Sequence, residues 1–461
     1  MNRILGQLVL AIGLLAAIPD QAVGEKPKNT GPRTLVLALD GVPLRSIQAA
    51  VEQGAFQGWS RPRGMVSPFP SMTSVAFTAI LRPFCVHPIA GYETTYFNKQ
   101  ENAIVGGISK QYLETYFPWR SQFYVRKRSY RSNIAGYTRP MHSARKMVER
   151  IGNLLLASTT DPIMAHVAPT DVVTHVRGDA PIVRYLLELS DQLVQLEIEH
   201  ETKWGRPLRI VLLSDHGNTQ GGVSSARDLQ GTLEKAGFRI RKKLESTEDL
   251  VVPAYGAVSY SALYLDAARA EEAGRAAVEN EAVDLAAWLR QPGEMRVVSK
   301  TGEAMVRWRE LSDSARFSCD SVTGDPLRLR EARTGLVSTS RLGSDGFADA
   351  VDWFSATVAG DYPDPLRRLV DSLTGTWVEN PATVILSLHP DRAWGSQKAW
   401  IGAFLMGGGL EGTHGALDSE STMGFMIANE EIPGELEAVP ADQVLARWFE
   451  PGDCVAMTRV E

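Results

Sequence analysis

Cysteine is scarce in this chain. Cys85, Cys319 and Cys454 are its only three, scattered over 461 residues with no repeated spacing. An odd, dispersed set excludes a disulfide framework and a zinc knuckle. One bridge stays open, with no pairing assigned. Any metal site must then be built from histidine and carboxylates. Excess positive charge is also lacking. Forty-eight Lys and Arg stand against 54 Asp and Glu, a formal net charge of -6. That balance argues against a nucleic-acid coat or a strongly basic membrane binder. It says little about small anions, which respond to local charge. Beyond the first 18 residues no stretch approaches the ~20 apolar residues of a membrane span. Internal repeats and extended low-complexity tracts are missing too, which removes solenoids and arrays.

The N-terminus reads as a secretion signal. Arg3 supplies the positive start, Ile4 to Ile18 the apolar run, and Ala22-Val23-Gly24 the small residues before a cleavage point at Glu25. An uncleaved anchor is the alternative, but the run is short for a span. No Cys follows it, so a lipoprotein anchor is not expected. The mature chain is expected to be exported, periplasmic or secreted, with no stable membrane insertion.

With 44% hydrophobic and 22% charged residues, the rest has the composition of a globular protein. Its length calls for a large core with an insertion, or for two domains. Four β-rich apolar runs stand out: Thr34 to Leu39, Pro162 to Val167, Leu208 to Leu213 and Thr383 to Leu388. Each is continuous rather than alternating, which suits strands buried on both faces of a parallel sheet. Val183 to Glu199 places Tyr185, Leu186, Leu189, Leu193 and Leu196 on one helical side. From about Phe238 to Asp371 the character changes. Val258 to Leu265 reads as a strand, Ala267 to Arg290 as helix, and Met295 to Trp308 as a hairpin turning at Thr301-Gly302. The pattern predicts an α/β fold. Its three-layer α/β/α core has a mostly parallel central sheet (residues 25–237 and 372–461), and an α+β cap region (238–371) is inserted.

Ligands of open α/β sheets bind at the carboxyl ends of strands. The first run ends in Asp40-Gly41. The second leads to Asp171 and His175. The third ends in Ser214-Asp215-His216-Gly217. A Gly-rich stretch near the C-terminus contains Thr413-His414-Gly415. Asp171 and His175 share a face if a helical turn starts there, and His414 could join them on one ion. Asp215 and His216, with Asp40 alongside, could hold another. Mixed imidazole and carboxylate ligands suit zinc. Taken singly, each element is an ordinary turn or a solvated helix face; their joint, ordered occurrence carries the reading.

Between the first two groups lies Ser67-Pro68-Phe69-Pro70-Ser71-Met72-Thr73-Ser74, polar and then apolar from Val75 to Leu81. A hydroxyl at a helix N-terminus sits in the field of free backbone amides, which favours an alkoxide and a bound phosphoryl group. The same pattern also fits a plain Ser/Thr N-cap. Of the remaining histidines, His166 lies inside a strand and reads as a core residue. His87, His142 and His200 read as surface or structural, and His389 as an outer-shell candidate. Arg126-Lys127-Arg128 reads as a solvated loop.

The ordered set resembles the alkaline phosphatase superfamily, nearest its nucleotide pyrophosphatase/phosphodiesterase branch. Leu35 to Gly41, Phe69-Pro70-Ser71-Met72-Thr73, Asp171 with His175 and Gly178, Ser214 to Gly217, and Thr413-His414-Gly415 carry the likeness, as does the non-catalytic stretch Val322 to Leu327. The resemblance implies one zinc on Asp171, His175 and His414. It implies a second on Asp40, Asp215 and His216, with Thr73 as nucleophile reaching that metal. Asn98, about the right distance along the chain past Thr73, would donate to a phosphoryl oxygen. Two ions ~3.5–4 Å apart would clamp an in-line displacement.

The sequence departs from the branch at Ser71-Met72, at Tyr92 to Lys99 around Asn98, and at Arg82 to His87, near which specificity would sit. No Cys-x-Pro-x-Arg occurs, which counts against a formylglycine sulfatase. The expected function is hydrolysis of a small phosphate ester through a phosphothreonine, with two zinc ions and no nucleic-acid polymer as partner. Scarcity of Arg or Lys near Thr73, Arg82 apart, favours a phosphodiesterase or pyrophosphatase over a monoesterase. A phosphoryl transferase and a non-catalytic zinc-binding protein are the alternatives from other classes.

Overall fold

The structure is a computed structural model that describes residues 31–107, 117–123, 138–311, 314–432, 434 and 436–450. The signal reading, Cys454 and Arg126-Lys127-Arg128 lie outside the described residues.

Six strands form the first sheet. In spatial order they are Ala438–Pro440, Arg63–Val66, Met423–Ala428, Leu208–Ser214, Arg33–Leu39 and Ile163–Val167. Met423–Ala428 runs antiparallel to both neighbours, and the other five strands point the same way. All seven residues of Arg33–Leu39 are buried, as a strand covered on both faces requires. Leu35, Leu37 and Leu39 pack under the helices Leu44–Glu52, Pro140–Ala157 and Ala180–Trp204. Val36 and Ala38 face the other way, onto the helix Thr73–Ile80. The long helix Ala180–Trp204 buries the predicted side, including Tyr185, Leu189 and Leu193, and stops at Gly205 in the left-handed region. The fold is therefore α/β, with a mostly parallel sheet between helical layers.

Register positions the chemistry. Leu39 lies opposite both Val167 and Ser214. Three parallel strands thus finish at one level, and the residues that follow them emerge together.

The second sheet has nine strands and is largely antiparallel. Two expectations change here. Val384–Leu388 does not join the parallel sheet; it pairs antiparallel with Tyr260–Leu265 and Val283–Gln291. A continuous apolar run reports burial on both faces, and a central strand of any covered sheet meets that condition. Ala267 to Arg290 is not one helix either. The helix covers Ala270–Val278, and Val283–Gln291 is a strand. Asn280 breaks the helix by accepting the Ala282 amide at 2.9 Å. Pairing on both edges then overrides the helical preference of the alanines. The expected hairpin is present as Glu294–Ser299 and Gly302–Glu310.

One apolar cluster joins the two sheets. Val36 and Leu213 of the first share it with Tyr260, Leu285, Val297 and Phe317 of the second. Each fully buried side chain of this kind is worth about 1.5–3 kcal/mol, so the contact between sheets is a major source of stability. Among the described residues no helix is long and apolar enough to cross a membrane.

Candidate metal centre

The first strand exits into Asp40 and Gly41. Gly41 has φ +62°, and a Cβ on it would stand 2.3 Å from Asp171 Oδ1. Its amide donates to Asp215 Oδ1 at 3.0 Å. A backbone without a side chain is thus what lets three carboxylates from three strand ends converge. Asp171 and His175 lie one turn apart on the helix Pro169–Arg177, with Asp171 Oδ1 3.4 Å from His175 Nε2. His216 Nε2 lies 3.4 Å from Asp215 Oδ2 and 3.7 Å from Asp40 Oδ1. The His414 ring stacks on His216 at 3.9 Å between centroids, and its Nε2 is 3.9 Å from Asp171 Oδ1. All six side chains that the sequence singled out as ligands therefore meet.

Three backbone carbonyls set the imidazoles. His175 Nδ1 donates to Gly412 O at 2.8 Å, His216 Nδ1 to Gly217 O at 2.8 Å, and His414 Nδ1 to Ser71 O at 2.7 Å. A carbonyl can only accept, so each Nδ1 carries the proton and each Nε2 is turned to the carboxylates. The gaps of 3.4–3.9 Å are long for hydrogen bonds. They suit ligands of a shared ion, since tetrahedral bonds of about 2.0–2.1 Å separate donor atoms by about 3.3–3.4 Å. Asp171 Oδ1 and Asp215 Oδ2 are buried without a hydrogen-bond partner among the described residues. Two sets close to within 4.8 Å: Asp40 with Asp215 and His216, and Asp171 with His216 and His414. The donor set therefore fits divalent ions. His216 stands in both sets, where the sequence had assigned it to one.

Electrostatics point the same way. Burial pushes the Asp215 carboxyl up to about 7, with Asp40 and Asp171 adding to the rise and His216 opposing it. Burial would lower His216, but Asp215, Asp171 and Asp40 outweigh it and raise its affinity for a proton. Burial and His216 hold His414 well below the ordinary imidazole range. Buried carboxylates this close demand positive charge beside Nε2, which a divalent ion supplies without a proton.

Thr73 is the first residue of the helix Thr73–Ile80. Met72 is the N-cap, and no side chain caps the helix, so Thr73 is not serving as a plain cap. Its hydroxyl donates to Asp40 Oδ1 at 3.2 Å and lies 3.2 Å from His216 Nε2. Ser71 instead turns its hydroxyl to Pro68 O and Ala416 O.

Two expectations about neighbours change. Asn98 makes no hydrogen bond to the cluster among the described residues. Its amide donates to Glu101 Oε1 and its Oδ1 accepts the Glu101 amide, both at 3.0 Å, closing the turn between Thr95–Asn98 and Ala103–Gly106. Its distance along the chain from Thr73 fixed no direction in space. His166 is more than a core residue. Its Nε2 donates to Asp40 Oδ2 at 3.0 Å while its ring packs against Phe77, Trp119 and Phe123. A histidine one residue short of a strand end, in register with the residue two before Asp40, was the available signal. His389 lies away from the cluster, half exposed beside Asp284.

No protein-family model matches the chain, nor does any curated protein. Similar solved structures do exist. They include phosphodiesterases of the branch that the motifs resemble. Human ectonucleotide pyrophosphatase/phosphodiesterase 5 is 11% identical with a TM-score of 0.45, over 90% of this chain and 94% of that one. An inactive form of its murine counterpart in complex with AMP gives 11% and 0.47 over the same shares. Phosphonoacetate hydrolase from Sinorhizobium meliloti, in complex with phosphonoformate, gives 13% and 0.45 over 88% and 91%.

Proposed function

We propose that the chain is an exported hydrolase of small phosphoryl esters, of the phosphodiesterase or nucleotide pyrophosphatase type. The observation that carries this is the Thr73 hydroxyl, at a helix N-terminus and 3.2 Å from both Asp40 and His216, beside three carboxylates and three imidazoles of which Asp40, Asp215, His216 and His414 are buried. Asp40, Asp215 and His216 would hold one divalent ion, and Asp171, His175 and His414 the other; the donor types favour zinc. When bound, such ions stabilise negative charge on phosphoryl oxygens and lower the pKa of oxygen nucleophiles.

The chain's own groups do the rest. Asp40 accepts the hydrogen bond of Thr73 and so aims its oxygen. Thr73 Oγ1 attacks phosphorus, the bond from phosphorus to the leaving oxygen breaks, and the phosphothreonine is then hydrolysed by water. Free amides of the first helical turn favour the negative phosphoryl group. His166 holds the far oxygen of Asp40, and the carbonyls of Ser71, Gly217 and Gly412 keep each imidazole in one tautomer.

A monoester carries one more charge than a diester and calls for an extra cation. Arg82, the candidate in the sequence, is paired with Asp442 at 2.9 Å. This supports a diester. Export is supported by the signal-like N-terminus and by a disulfide at Cys85, which suits an oxidising compartment; Cys319 is free and buried. The segment 238–371 contributes Ser259, whose amide donates to the His414 carbonyl at 2.7 Å, and would shape substrate choice around the centre.

Purified zinc-loaded protein should cleave bis-nitrophenyl phosphate faster than nitrophenyl phosphate, and nitrophenyl sulfate least. Elemental analysis should find about two zinc ions per chain. Loaded protein that turns over none of the three esters would sink the proposal.

A further inference from the structure

We propose that Arg368 is a positioning residue for this centre, one that holds the loop of Thr73 and the loop of His414 in a fixed relation. The inference rests on the function proposed above. Arg368 lies on the helix Pro365–Thr374, within the segment that carries no ligand, and is only 4% exposed. Its Nη1 donates to Pro363 O and Leu417 O, both at 2.9 Å. Its Nη2 donates to Ser71 Oγ at 3.1 Å and to Thr422 Oγ1 at 2.7 Å. Ser71 precedes Thr73 by two residues, and its carbonyl is the acceptor that orients His414. Leu417 follows His414 by three. Thr422 O accepts the Ser67 amide at 3.2 Å, at the base of the Thr73 loop, and Ser421 O accepts the Gly217 amide at 3.1 Å, directly after His216.

One guanidinium is therefore bonded to the loops that carry the nucleophile and a ligand of one ion, and reaches the His216 loop through a neighbour. No carboxylate takes a hydrogen bond from it among the contacts described; its acceptors are two carbonyls and two hydroxyls. A planar fork can meet four acceptors in three directions at once, and an ammonium on a flexible stem cannot. Burying a cation for such partners is costly in a region that hydrophobic packing could fill. Reacting atoms that must stay aligned give the arrangement a purpose, since a displacement near 1 Å can cost about 100-fold in rate.

Arg368→Lys, Arg368→Met and Ser71→Ala test this in the full-length mature protein. Three readouts are needed: bis-nitrophenyl phosphate kinetics, the absorption bands of cobalt-exchanged protein, and amide hydrogen exchange over 67–73 and 413–418. Arg368→Met should lower kcat by about 10–100-fold with KM within about threefold. It should also change the cobalt bands, because His414 is oriented through Ser71, and speed exchange in both loops. Arg368→Lys should fall between it and the unaltered protein. Ser71→Ala should shift the same readouts less, and combined with Arg368→Lys should be non-additive. If Arg368→Met does not fold, Arg368→Lys and Ser71→Ala decide alone. Unchanged kcat, bands and exchange in the folded variants would overturn the proposal, as would a loss that only tracks the folded fraction. An unaltered protein that binds no metal and cleaves no ester would defeat the proposed function instead, and the exchange of the two loops would still judge Arg368.

Discussion

Gly41→Ala should damage the metal centre by way of a single methyl group. Two costs can be read from the geometry. The backbone stands at φ +62°, where an L-residue costs roughly 1–2 kcal/mol over glycine. The added Cβ would also lie 2.3 Å from Asp171 Oδ1, whereas real Cβ atoms keep at least 3.0 Å. The carboxylate would have to retreat by about 0.7 Å, 3.0 minus 2.3, merely to reach the tightest tolerated contact. Asp171 is a proposed ligand of the ion shared with His175 and His414, so a shift approaching 1 Å should lower kcat by up to about 100-fold. Thermal melts should register the backbone strain as a fall of a few degrees. Elemental analysis at limiting zinc should show one of the two sites weakened. Gly41→Ala protein that keeps two ions at limiting zinc, with turnover within a factor of about three, would refute the claim that Gly41 is what lets Asp171 approach.

Thr73→Ala should cut turnover by at least ~100-fold while both ions stay bound, and Ser74→Ala should keep near-normal activity; the reverse pattern would move the nucleophile. His166→Phe should retain the aromatic packing with Phe77, Trp119 and Phe123 yet lose the bond to Asp40. Zinc titration should then show affinity down about 10–100-fold, and unaltered affinity would remove His166 from the site. Burial pushes Glu93 up to about 7, against the lowering effect of its bonds from the Gly256 amide and the Tyr260 hydroxyl. The folded state then keeps a proton that the unfolded chain releases above the ordinary glutamate range. The stability linked to it is present in acid and is lost as pH rises toward 7. Melts of metal-loaded Glu93→Gln between pH 4.5 and 7.5 should show a flatter pH dependence than the unaltered protein, and equal slopes would contradict this.

The ligands were legible because they sit where local signals are strongest. Asp40, Asp215 and His216 follow continuous apolar runs, and Asp171 with His175 has the spacing of one helical turn. Register then did what sequence could not state, placing Leu39 level with Val167 and Ser214. Elsewhere the local signal was ambiguous. Val384–Leu388 is as apolar as a parallel strand, and only its partners show that it belongs to the other sheet. His166 looked like core because its aromatic neighbours come from residues far along the chain. Asn98 was chosen by its distance from Thr73, and its amide was already committed to a hairpin turn. Arg368 lies in a stretch with no motif at all, and its role depends wholly on what folds against it.

The carbonyls that orient the three imidazoles have a consequence for how such a centre can vary. Had side chains instead of main-chain oxygens oriented the rings, one codon change could delete a clamp. A main-chain oxygen is present whatever residue is encoded, so at position 71 it outlasts a change of side chain, whereas a Cβ at 217 or 412 would press into Glu420 O or Asn218 Oδ1 and move the loop. Loop length has no such protection. Removing or adding one residue beside position 71, 217 or 412 would carry the oxygen away from its ring. Drift in this protein should therefore hold the glycines at 217 and 412 and the loop lengths beside all three carbonyls.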